Sequence, residues 1–194
     1  MKRYFWYLLL IVFALPVLAS CGKGNDILPD EDDGSDDVTI VENRKILVAY
    51  FSGTGNTKRL AEQIAAITKA DIFRIEAKEP YSANPYDDSD RIQNESYNNL
   101  RPEVAVLPNN VESYDVIFVG SPIWWHNPAM VVCTFLENYK LDNKIVVPFF
   151  TYGATTYLQQ SVNKIYEVTP NSTHLQTYTS GSVEAWLKSI NIIQ

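Results

Sequence analysis

The sequence predicts an α/β domain, a doubly wound parallel sheet of five strands with helices on both faces. Three observations carry that expectation. Continuous apolar runs at Ile46–Phe51, Val116–Val119 and Ile145–Thr151 have the composition of strands covered on both sides. Segments with apolar residues at helical spacing lie between them, and repeated strand–helix units build parallel sheets. The stretch 44–194 is also long enough to bury roughly 70% of its unfolded surface in one core.

The elements follow in order. After the Ile46–Phe51 strand, Thr57–Thr68 places Leu60, Ala61, Ile64, Ala65 and Ile67 on one helical face. Asp71–Glu76 alternates as a strand does. The segment 77–113 is too long for a simple connection. It holds Pro80, Pro85, Pro102 and Pro108, with a polar helix expected over Asp87–Leu100, and reads as a lengthened crossover. Val116–Val119 is the third strand and Ala129–Tyr139 the next helix. Pro148 interrupts the fourth strand, Ile145–Thr151, and predicts a bulge or a loosened pairing because proline donates nothing to the ladder. Helix Tyr157–Val168, a weak strand Thr173–Thr179 and helix Val183–Ile190 complete the chain. The sequons Asn94-Glu95-Ser96 and Asn171-Ser172-Thr173 read as surface polar residues.

Charge divides the chain into three pieces. The whole chain of 194 residues carries a net charge of −7. Residues 1–20 begin with Lys2 and Arg3, run apolar from Tyr4 through Leu18, and end on small residues, the pattern of a secretory signal. Residues 21–43 follow, and from Gly22 onward hold eight acids against Lys23 alone, which reads as a solvated, self-repelling linker. Residues 45–194 carry 12 bases and 15 acids, so the folded part is nearly balanced. No basic patch is available for nucleic acid. Cys21 and Cys133 are the two cysteines; Cys133 sits in an apolar stretch and reads as an inert buried thiol.

The sharpest motif joins the first strand to its helix: Ser52-Gly53-Thr54-Gly55-Asn56-Thr57. Hydroxyls alternate with glycines directly before a helix N-terminus, where free amides and the helix dipole favour an anion such as a phosphate monoester. Lys58 stands where a dinucleotide fingerprint needs glycine, and no glycine precedes it as a nucleotide-triphosphate loop requires. A second constellation, Gly120-Ser121-Pro122-Ile123-Trp124-Trp125-His126-Asn127-Pro128, leaves the end of the third strand, where open α/β sheets bind ligands. Its tryptophans suit either a stacked flat aromatic ligand or a plug at the sheet edge. Thr151-Tyr152-Gly153 supplies a third loop at a strand end. His126 and His174 read as surface histidines.

Together these residues resemble the flavodoxin family, and specifically its short bacterial lipoprotein-associated members. Ser52, Thr54, Gly55, Asn56 and Thr57 match the family's phosphate-loop pattern. Pro122, Ile123, Trp124 and Trp125 resemble the first flavin-facing loop, and Thr151, Tyr152 and Gly153 the start of the second. The resemblance spans about Lys45 to Ile190. It implies strand order 2-1-3-4-5 and FMN bound noncovalently on residues 52–57, with the flavin ring between the Trp124/Trp125 and Tyr152 loops. No catalytic side chain or metal is implied. Many relatives carry glycine directly after the second tryptophan, where this chain has His126. The stretch Leu18-Ala19-Ser20-Cys21 likewise resembles a lipobox, implying cleavage before Cys21, lipidation of that residue, and a membrane-anchored protein on the periplasmic or cell-surface side.

Three functions fit this reading. One is an FMN-dependent electron-transfer protein or flavin reductase whose partner is a redox protein or a small acceptor. Another is an NAD(P)H-dependent quinone reductase on the same fold, although no nicotinamide motif is present. The third is a non-catalytic lipoprotein that binds a partner through the cleft or through Tyr81–Leu100. The spelling of the phosphate loop favours the first.

Overall fold

The computed structural model describes residues 43–194. The expected signal at 1–20, the lipidation site Cys21 and the linker up to residue 42 lie outside the described residues. Among the described residues no helix is long and apolar enough to cross a membrane.

The elements run β1 (Ile46–Tyr50), α1 (Asn56–Thr68), β2 (Asp71–Arg74), α2 (Ser89–Tyr97), β3 (Val116–Trp124), β4 (Asn127–Pro128), α3 (Met130–Glu137), β5 (Ile145–Thr151), α4 (Leu158–Val168), β6 (Thr173–His174) and α5 (Val183–Ser189). The sheet has the order β2-β1-β3-β5-β6, all parallel, with β4 folded back antiparallel on β3. Leaving that two-residue arm aside, this is the predicted 2-1-3-4-5 order.

Alternation along each central strand explains why both faces are covered. Ile46, Val48 and Tyr50 of β1 point with Val116 and Phe118 of β3 toward α1 and α5, where Ala61, Ile64, Trp186 and Leu187 meet them. Leu47, Ala49 and Phe51 point with Ile117 and Val119 toward α3 and α4, where Val131, Phe135, Val162 and Ile165 meet them. Each fully buried Val, Leu, Ile or Phe contributes about 1.5–3 kcal/mol relative to exposure. Cys133 of α3 is fully buried, and burial pushes its thiol up to about 12, which leaves it inert at neutral pH.

Pro148 causes the loosened pairing that its sequence position predicts, and only on one side. The amides of Thr173 and Leu175 donate to the carbonyls of Lys144 and Val146. Even-numbered residues of β5 therefore face β6, and the missing N–H of Pro148 falls there. The β5–β6 ladder ends at His174, and the expected strand to Thr179 survives only as a single bridge between Phe149 and Tyr178. On the other side β3 and β5 pair without a break from Val116↔Ile145 to Pro122↔Thr151.

Two sequence readings are corrected. Glu95 and Ser96 are buried rather than exposed: Arg91 Nε donates to Glu95 Oε1 at 2.9 Å, and the Tyr81 hydroxyl to Glu95 Oε2 at 2.6 Å. His174 is half-buried rather than at the surface. Its ring stacks on Tyr166 at 3.9 Å, and its Nε2 lies 2.8 Å from the Thr169 hydroxyl.

Burial holds the pKa of His174 below its ordinary 6.5, offset in part by a hydrogen bond to the Thr169 backbone. As pH falls, the unfolded chain takes the proton first, so this site's stabilisation is full above about pH 6.5 and declines below it. Urea midpoints of the wild-type protein should drop between pH 7 and pH 5.5. His174→Phe, which keeps a ring on Tyr166 but cannot titrate, should drop less. An identical pH profile in the variant would show that His174 does not contribute.

Candidate functional site

The site is built where β1, β3 and β5 end. Phe51 extends β1 by one bond, its amide donating to the Gly120 carbonyl at 2.9 Å, and the chain then opens into the Ser52–Thr57 loop. Ser52 Oγ accepts the Gly55 amide at 3.1 Å and closes the turn on itself. Gly55 has φ +88°, a conformation that side chains with a Cβ adopt at a cost of about 1–2 kcal/mol. The first intrahelical bond of α1 runs from the Arg59 amide to the Gly55 carbonyl at 3.1 Å. The amides of Asn56, Thr57 and Lys58 therefore have no carbonyl partner within the helix. No side chain caps this end and no acid occupies its first turn. An uncapped helix N-terminus beside hydroxyls is the donor set that a phosphate group requires.

Thr57 does different work from Thr54. It is buried, and its hydroxyl lies 2.8 Å from that of Thr151, which ties the first loop to the end of β5. Thr54 is exposed and lines the cleft together with Asn56 and Arg59. Asn56 donates through Nδ2 to the Thr54 hydroxyl at 3.3 Å and accepts from Arg59, so this cation of the lining is held at the loop.

The second loop is shaped differently from expectation. Gly120–Pro128 is not an irregular loop: β3 continues through Pro122 to Trp124, and Asn127 pairs back on Trp124 across a two-residue turn. Pro122 is tolerated because Gly120 already faces β1, which places the nitrogen two residues on beside the point where β1 has ended. Trp124 packs edge-on against Phe51 at 5.1 Å and Tyr81 at 5.2 Å. A Cβ added at Gly53 would stand 3.0 Å from its ring, so the first loop lies directly against this indole. Trp125 is more exposed and faces Tyr97 at 5.9 Å. The third loop begins at Thr151, and the Tyr152 hydroxyl donates to the Thr179 carbonyl at 3.1 Å.

One cleft of about 1150 Å³ draws these pieces together. Thr54 and Asn56 line it from the first loop, Pro122, Ile123, Trp124 and Trp125 from the second, and Thr151, Tyr152 and Gly153 from the third. Ser52, Gly53, Gly55 and Thr57 form the structure beneath. Sequence reasoning missed Tyr157 and the crossover wall (Ala83, Asn84, Pro85, Tyr86), and it read His126, which also lines the cleft, as a surface histidine. Pro85 and Tyr86 lay inside the long crossover, whose path depends on its own side-chain contacts: Arg91 sits 4.2 Å over the Tyr81 ring and donates to the carbonyls of Glu79 and Pro80. His126 was visible only as a residue in an unusual place. Among the described residues no carboxylate lines the cleft.

The model of the family described as flavodoxin matches residues 45–187. This chain belongs to the flavodoxin family. A candidate flavoprotein from Bacteroides eggerthii DSM 20697 is 33% identical with a TM-score of 0.68, covering 76% of this chain and 98% of that one. A second, from Bacteroides uniformis ATCC 8492, is 28% identical at a TM-score of 0.64 over 76% and 99% of the two chains. A flavoprotein in complex with FMN from Lactobacillus acidophilus NCFM is 28% identical, with a TM-score of 0.62 over 69% and 91%. No curated protein matched. The flavodoxin domain thus accounts for essentially all of the described residues.

Thr57→Val preserves shape but removes the hydroxyl bond to Thr151. The variant should lose about 1 kcal/mol in urea unfolding. An unchanged midpoint would show that the two loops are not joined through this pair.

Proposed function

We propose that the flavodoxin domain binds FMN noncovalently in the cleft and serves as a flavin-dependent electron-transfer protein outside the cytoplasmic membrane. The observation that carries this reading is the uncapped N-terminus of α1 opening between Ser52 and Thr57 into a cleft with aromatic walls. Backbone amides of the first loop and the hydroxyl of Thr54 would hold the phosphate, the Ser52 hydroxyl would keep the loop in shape by accepting the Gly55 amide, and Arg59 adds a positive charge at the cleft. Pro122, Ile123, Trp124 and Trp125 would flank the ring on one side, and Thr151, Tyr152 and Gly153 on the other. The bound flavin supplies one- and two-electron chemistry. The chain's own part is to bind, to orient, and to exclude water with its aromatic walls. A lining without carboxylates adds no like-charge repulsion against a reduced, anionic ring. The donor and acceptor are a redox protein or a small molecule.

The tether belongs to the same reading. Residues 1–20 serve as a signal, Cys21 carries the lipid, and the acidic linker to residue 43 connects it to the domain at 44–194. Two acyl chains suffice for stable anchoring.

Purified protein should be yellow, or should take up added FMN with quenching of its fluorescence. Gly55→Val, which strains the loop at φ +88°, should weaken FMN binding by roughly tenfold, as about 1.4 kcal/mol implies. A folded, colourless protein that ignores added FMN would sink the proposal.

A further inference from the structure

Among the described residues six non-glycine residues have positive φ, and Trp125 and His126, at 45° and 74°, are the adjacent pair. A two-residue hairpin turn of this hand normally uses asparagine, aspartate or glycine. Two bulky rings in these positions cost about 1–2 kcal/mol each, and such strain persists where the surroundings over-determine it. The surroundings here are two buried serines from different helices. Ser96 of α2 donates to the Trp125 carbonyl at 2.6 Å, and Ser161 of α4 to the His126 carbonyl at 3.2 Å.

The strained turn aims the imidazole of His126 onto Tyr157. The rings stack with centroids 3.7 Å apart and planes 23° from parallel. Tyr157 ends the short 3₁₀ turn Thr155–Tyr157 that follows the third loop. Both residues line the cleft. The stack therefore joins the second loop to the third, on the exposed side of the molecule. Thr57 and Thr151 make a comparable join at the buried end, between the first loop and β5.

We propose that the His126–Tyr157 stack is a latch: it fixes the aromatic hairpin against the third loop, and it slows escape of the ligand held between them. The second half rests on the FMN reading; the first does not. Both are positioning residues, acting through the loops that they join.

The test uses the full chain and four variants. His126→Asn keeps a residue that tolerates positive φ but removes the ring. Tyr157→Ala removes the opposing ring, Tyr157→Phe restores it without the hydroxyl, and the fourth carries both His126→Asn and Tyr157→Ala. A stacked pair contributes about 0.5–1.5 kcal/mol, so FMN release should quicken about two- to twelvefold in either single variant. The double variant should release no faster than the faster single one, and Tyr157→Phe should match the wild type. Release unchanged in the single variants, or effects that add in the double, would overturn the latch. A second readout needs no flavin: the His126 ring protons should resonate upfield in the wild type and in Tyr157→Phe, and shift back in Tyr157→Ala. If the wild type binds no FMN, the FMN reading fails and this spectrum decides the latch. Resonances unmoved by Tyr157→Ala would overturn it.

Discussion

The site depends on the register of β1 against β3. Tyr50 pairs with Gly120, and the next amide, that of Phe51, donates to the Gly120 carbonyl at 2.9 Å. That bond sets where two loops begin. The first leaves β1 at Ser52 and turns into α1, while β3 runs on beyond β1 to Trp124, paired with β5 and then with β4. Because both strands are buried on two faces, a slip of one residue would turn every apolar side chain into the wrong layer. The neighbouring β3–β5 register pairs Gly120 with Phe149, whose ring sits over Gly120 where an added Cβ would lie 2.3 Å from it. Packing in the core thus fixes the geometry of the cleft.

Around that register the cleft is assembled by short polar ties rather than by a second core. Thr57 meets Thr151, Ser96 and Ser161 hold the hairpin carbonyls, Asn127 donates to Ser96 at 2.9 Å, and Glu95 gathers Tyr81 and Arg91. Each is buried or half-buried, where an unmade hydrogen bond costs about 1–3 kcal/mol. The aromatic walls are therefore held in place before any ligand arrives, which spares part of the ordering cost of binding. Charge contributes little to this framework, since the acidity of the chain is concentrated in the linker and, among the described residues, Arg59 is the only cation of the lining.

Much of this was legible in the sequence. Central strands announce themselves as unbroken apolar runs because both of their faces are covered, and Ser52–Thr57 announces itself by hydroxyls and glycines ahead of a helix. Pro148 was legible as a disturbance, but not which edge it would affect, because that depends on whether its nitrogen faces β3 or β6. The hairpin was not legible. Its turn is Trp125-His126 instead of the asparagine or glycine that such a turn favours, so the local signal was missing and tertiary hydrogen bonds from Ser96 and Ser161 supply the constraint. The crossover wall at Ala83–Tyr86 was hidden for another reason. Its path is set by side-chain hydrogen bonds within the crossover, among Ser82, Asn84, Asp87 and Asp88, and those leave no periodicity to read.

The central claim is that the N-terminus of α1 and its loop anchor the ligand through a phosphate. Comparing the binding of FMN with that of riboflavin, the same ring system without the phosphate, isolates this term. Hydrogen bonds to a charged group contribute about 1.5–3 kcal/mol each, so losing even one should weaken binding by at least about tenfold. The account predicts that FMN binds far more tightly than riboflavin. Equal affinity for the two would contradict it, because the aromatic walls alone would then hold the ligand.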